Sequence, residues 1–112
     1  MNDILRFRTQ AWPELPPPVL EQTLPGFLGR NAALSLQDHL GQRGQNAWVR
    51  PEAWGWRVGA SRGDHLEVYQ TQTVPGTSDV ALRFLASASP SLKAEVETWA
   101  KSLATQVEWQ SL

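Results

Sequence analysis

Two Asp–His pairs, Asp38–His39 and Asp64–His65, come nearest to a metal or acid–base constellation in this chain. A carboxylate beside an imidazole orients it as a base or shares a cation with it, but metal-ligand motifs need several such donors at short fixed spacings, which do not occur here. Both pairs are read as local turn or cap hydrogen bonding, so neither a metal site nor a cofactor is expected. Serine chemistry needs a nucleophile elbow or an oriented Ser–His–acid set, and no G-x-S-x-G is present. The chain also lacks G-x-G-x-x-G and phosphate-loop patterns. With no cysteine, disulfides, thiol catalysis, iron–sulfur clusters and thiolate zinc are excluded. The expectation leans away from an enzyme, and no catalytic residue is nominated.

The residue types that remain suit binding. Residues 42–63 carry Arg43, Arg50, Arg57 and Arg62 against Glu52 alone, together with Trp48, Trp54 and Trp56. Arginine outnumbers lysine eight to two in the chain, and its planar guanidinium stacks on rings and grips carboxylates or phosphates in a fork. Tryptophan and arginine are the residues most enriched among interface hot spots. The expected function is a non-catalytic interaction module that binds another protein or self-associates, for instance through a sheet edge near Trp48, using Arg43, Trp48, Arg50, Arg57 and Arg62. The first alternative is nucleic-acid binding by the same segment, although the net charge of −1 supplies no global attraction to phosphates.

Those residues need a scaffold. A chain of 112 residues with 41% hydrophobic and 19% charged side chains fits a single domain with one core. No run of about 18 apolar residues occurs and "MNDILRFRTQ" lacks a signal-peptide core, so a soluble, cytoplasmic protein without membrane association is expected.

"DILRFRT" (3–9) alternates Leu5 and Phe7 with Arg6 and Arg8, the pattern of a half-buried strand. Prolines at 13, 16, 17, 18 and 25 forbid a regular ladder and predict a stiff connection over 11–26. From Phe27 to Leu40, Ala32, Ala33, Leu36 and Leu40 fall at helical spacing, with Gly41 placed to end the helix. "AWVR" before Pro51 reads as an edge strand or an arm. Residues 53–86 give three strands: Trp54, Trp56, Val58 and Ala60; then Leu66 and Val68; then Val80, Leu82, Phe84 and Ala86, each set alternating with its neighbours. Ser89–Pro90 opens a last helix whose stripe is Leu92, Val96, Trp99 and Leu103. "VEWQSL" either adds a short strand or frays.

Parity requires odd loops between the strands of 53–86, because a one-residue slip would turn a strand inside out. A three-residue loop, Arg62–Asp64, pairs Val58 with Val68, Trp56 with Gln70 and Trp54 with Gln72. A five-residue loop at 75–79 pairs Val74 with Val80, Gln72 with Leu82 and Gln70 with Phe84. Trp54 and Trp56 then lie on the core face near two glutamines. They form either a satisfied core rim or a second alternative function, a small-ligand pocket of Trp54, Trp56, Gln70 and Gln72.

The whole is expected to be an α+β domain in two layers, a mostly antiparallel sheet of three to four strands covered by the C-terminal helix, in the order β-α-β-β-β-α. From about residue 27 this order resembles the outline of double-stranded RNA-binding domains. "SPSLKAEVETW" is acidic where that family's last helix begins basic, which speaks against RNA binding by that route.

Overall fold

The computed structural model describes residues 3–11, 30–52, 54–60, 64–71, 77–85 and 88–111. The class is the α+β expected. The sheet is larger, with six strands: β1 (Asp3–Thr9), β2 (Trp48–Glu52), β3 (Gly55–Gly59), β4 (His65–Thr71), β5 (Ser78–Phe84) and β6 (Val107–Ser111). Two helices, α1 (Arg30–Gln42) and α2 (Pro90–Leu103), complete the described elements. The strand order is β2-β3-β4-β5-β1-β6 and every pairing is antiparallel. Four strands separate the helices instead of the three expected, and "VEWQS" forms the sixth strand. The proline-rich connection lies almost wholly outside the described residues.

Alternation explains the two faces. Leu5, Phe7, Val58, Leu66, Val68, Val80, Leu82 and Phe84 are buried on one side of the sheet, because each strand presents every second residue to the same face. The helices cover that side: α1 lies against β2, β3 and β4, and α2 against β1 and β6. Ala32, Ala33, Leu36 and Leu40 of α1 and Leu92, Val96, Trp99 and Ala100 of α2 are buried in the same core.

Both helices end by identifiable devices. Ser89 caps α2 by accepting the Leu92 N–H at 3.2 Å, with Pro90 in the first turn. α1 runs past Gly41, which was expected to end it, to Gln42. Gly44, at φ 81°, supplies the left-handed turn, with Gln45 N–H donating to Leu40 O at 3.0 Å and Gly44 N–H to Gly41 O at 3.1 Å. This is a Schellman closure, which satisfies two carbonyls that the helix itself cannot.

The strand faces are those that parity requires, but the register differs from the expected one. Val58 pairs with Leu66 and Trp56 with Val68, two residues from the expected pairing. The loop is five residues long and is closed by Ala60 N–H donating to Asp64 O at 2.7 Å. Gln70 pairs with Val80 and Leu66 with Phe84, a shift of four residues in the second hairpin; the expected partners Gln72 and Val74 lie outside the described residues. Both shifts are even, so no side chain within the paired strands changes face. The observed register places Val68 opposite Trp56 and Leu66 opposite Phe84, where the expected one set both aromatics against glutamine.

Candidate functional site

No described helix or strand covers the second face of the sheet, which collects the polar positions of every strand. In register across it, Arg50 lies opposite Arg57, Arg57 opposite Glu67, Glu67 opposite Arg83, and Arg83 opposite Ile4. One row along, Tyr69 is opposite Ala81, Ala81 opposite Arg6, and Arg6 opposite Glu108. Cross-strand neighbours of opposite charge stabilise such a face, as at Glu67 and Asp79, while Arg50 pairs with Glu52 along its own strand. Arg83 Nε lies 2.9 Å from Glu67 Oε1, Arg57 Nη2 3.8 Å from Glu67 Oε2, Arg50 Nε 2.8 Å from Glu52 Oε1 and Arg8 Nε 2.7 Å from Asp79 Oδ1.

Aromatic rings complete the face at its β2–β4 end. Trp48 lies flat over Gly59, where a β-carbon would overlap the indole. Glycine here is a packing requirement for close approach. The Arg50 guanidinium sits 5.6 Å from the Trp48 ring centroid, and that of Arg57 sits 5.6 Å from Trp54, both within cation–π range. Trp54 in turn contacts Tyr69, with ring centroids 5.1 Å apart and planes inclined by 34°. Trp48 and Trp54 remain 41% and 38% exposed. These values separate them from Trp99, at 3%.

Trp54 therefore stands on the uncovered face, contrary to the core-face placement expected of it. It precedes β3 in a turn, where strand alternation no longer dictates direction. Trp56 sits on the helix side and packs against the core. Gln70 is buried on that side too, its Nε2 donating to Ser78 Oγ at 3.0 Å. The two indoles thus do not share a pocket; Gln72, the fourth residue of that grouping, lies outside the described residues. Arg43 also departs from the cluster. It follows α1, with Nε 3.4 Å from Glu95 Oε2, the oxygen that His39 Nε2 approaches at 3.3 Å, and it helps tie α1 to α2 on the opposite face. Arg62 lies outside the described residues.

Of the nominated residues, Trp48, Arg50, Arg57 and Trp54 come together. Not among the nominated residues are Glu67, Tyr69, Arg83, Arg6, Arg8 and Asp79, which extend the same face. Their signal was the polar half of each alternating strand, and it becomes legible only once β1 is paired with β5. Arg6, Arg8, Tyr69, Ala81, Arg83 and Glu108 line, among the described residues, part of an open trough of about 1190 Å³. No group of three His, Cys, Asp or Glu side chains among the described residues is placed to hold a metal ion. Among them, no helix is long and apolar enough to cross a membrane.

Tyr69 reports on this face directly. Burial pushes its pKa above the ordinary 10.0, and the Glu67 carboxylate, which accepts the phenol O–H at 3.2 Å, pushes the same way. A raised value in the folded state means a contribution to stability that is complete below the unfolded pKa and is lost as pH rises through the folded one. Tyr69 is the sole tyrosine, so absorbance at the tyrosinate band reads it alone. The expected midpoint lies above 10.0, and Glu67→Gln should lower it; a wild-type midpoint at or below 10.0 would place the phenol in ordinary solvent.

The chain matches no known family model, no curated protein and no solved structure. Its class is therefore defined by its own geometry, an α+β domain with one helix-covered sheet face and one aromatic–arginine face that, among the described residues, no helix or strand covers.

Proposed function

We propose that the protein is a non-catalytic interaction module whose uncovered sheet face docks a partner protein at Trp48, Arg50, Trp54 and Arg57. The observation that carries this reading is the pair of exposed indoles, each held beside a guanidinium. Exposed tryptophan and arginine fixed in place before binding lose little side-chain entropy on association, and they have the composition of a hot spot. The charge pattern favours a protein over nucleic acid. Arg8, Arg50, Arg57 and Arg83 each lie within 4 Å of a carboxylate, so phosphate binding would have to break those pairs, whereas a polypeptide of mixed charge can extend them.

The test compares faces. A polypeptide retained by the wild-type protein in cell extract should be retained about tenfold less by Trp54→Ala. Gly59→Ala, whose new methyl displaces the Trp48 indole, should lower retention in the same direction. Thr98→Ala, on the exposed side of α2, should leave retention unchanged. Equal retention by all three variants, or retention of nucleic acid alone, would refute the reading.

A further inference from the structure

The sheet has two edges, and they are protected unequally. β2 carries Pro51, which has no N–H to donate, and the exposed Arg50 at its centre. Antiparallel pairing of β2 with a copy of itself about its central residue would oppose two Arg50 side chains. Proline and charge are ordinary defences of an edge strand. β6 contains no proline, four of its five residues are exposed, and among the described residues no strand pairs with its outer side.

β6 is also self-complementary in one register. Centred on Trp109, antiparallel pairing sets Val107 opposite Ser111, Glu108 opposite Gln110, and Trp109 opposite its own copy, so no like charges meet. Centring on Glu108 would oppose two carboxylates, and centring on Gln110 would leave Val107 without a counterpart in the strand. The side chains fit the first arrangement. Gln110 Oε1 already accepts from Arg6 Nε at 2.7 Å, which leaves its amide N–H groups to donate. The Glu108 side chain has no hydrogen bond or ion pair among the described residues, and in this register its carboxylate faces that amide. Trp109 is 40% exposed, held at the edge by Nε1 donating to Glu97 Oε1 at 2.9 Å and by its contact with Phe84 at 5.6 Å.

We infer that β6 is a self-association edge: two copies join their β6 strands antiparallel about a two-fold axis through Trp109, merging two six-stranded sheets into one. This goes beyond the partner-protein reading, because it uses the edge farthest from β2 and leaves Trp48 and Trp54 accessible. Pairing of five residues makes a small interface, so the dimer is concentration-dependent.

Sedimentation velocity of the full chain from about 1 µM to 1 mM tests it. Wild type should pass from monomer to dimer across the series. Gln110→Glu opposes Glu108 of the second copy at two symmetric places and should weaken dimerisation about tenfold, while within one copy the new carboxylate retains Arg6 as a partner. Combining it with Glu108→Lys sets lysine opposite glutamate and should restore dimerisation to at least the wild-type level. A wild type that stays monomeric throughout, or a Gln110→Glu variant with an unaltered equilibrium and native circular dichroism, would overturn the inference. Neither outcome bears on partner binding at Trp54, so the two readings fail separately.

Discussion

Replacing Trp99 with alanine is expected to remove about 3–5 kcal/mol of stability, the range for deleting a large buried aromatic. The indole is the largest of the buried side chains among the described residues. It meets Phe7 of β1 edge to face, with centroids 5.5 Å apart and planes at 85°, and its Nε1 donates to Ser35 Oγ of α1 at 3.0 Å. One ring thus joins α2, β1 and α1, and its removal leaves a void that backbone elements on three sides cannot fill. Against a typical total of about 5–15 kcal/mol, such a loss is a large share of the whole stability. Trp99→Phe keeps most of the apolar volume and should cost clearly less. Urea denaturation followed by circular dichroism provides the comparison, and a Trp99→Ala loss under about 1 kcal/mol would contradict the packing described.

The second large effect comes from adding an atom. Gly55→Ala should destabilise the protein by about 1–3 kcal/mol, the usual cost of overpacking, although Gly→Ala at an unstrained site stabilises by restricting the unfolded chain. A β-carbon at Gly55 would lie 2.5 Å from the Val68 carbonyl oxygen. Its obstacle is main chain inside β4, which cannot swing aside as a side chain would. β3 must then separate from β4 at its start, where Trp54 meets Tyr69, so the same substitution should raise iodide quenching of tryptophan fluorescence. Equal or greater stability than wild type in denaturant would show that the two strands do not approach this closely. The contrast with Gly59 is instructive, since there the obstacle is the Trp48 indole, and substitution moves a ring while the ladder stays intact.

Patterns inside one element were legible in the sequence; choices between elements were not. The stripe Leu92, Val96, Trp99 is buried as its spacing requires, and the cap at Ser89 forms as its residue type predicts. Strand faces followed from alternation. Register did not, because parity admits every even shift and only packing selects among them; Val58 against Leu66 is preferred to Val58 against Val68 by what the neighbouring pairs then meet. The place of β1 between β5 and β6 depends on contacts far apart in sequence, such as Leu5 with Leu82 and Trp109, which no local window contains. Of the candidate site, Trp48, Arg50 and Arg57 were visible as members of the basic, aromatic segment 42–63. Arg43 was misplaced because it follows a helix, and Glu95, its partner, lies on another helix.

The functional account rests on one face of the sheet meeting a partner while the other is sealed by helices. The most direct measurement is site-specific photocrosslinking in cells, with a photoreactive phenylalanine analogue at position 81 of β5, which lies on the same face opposite Tyr69, or at position 98 of α2. A discrete polypeptide adduct is expected from position 81 that Trp54→Ala diminishes, and no such adduct from position 98. An adduct from position 98 alone, or none from position 81 while the protein is folded, would contradict partner docking on this face.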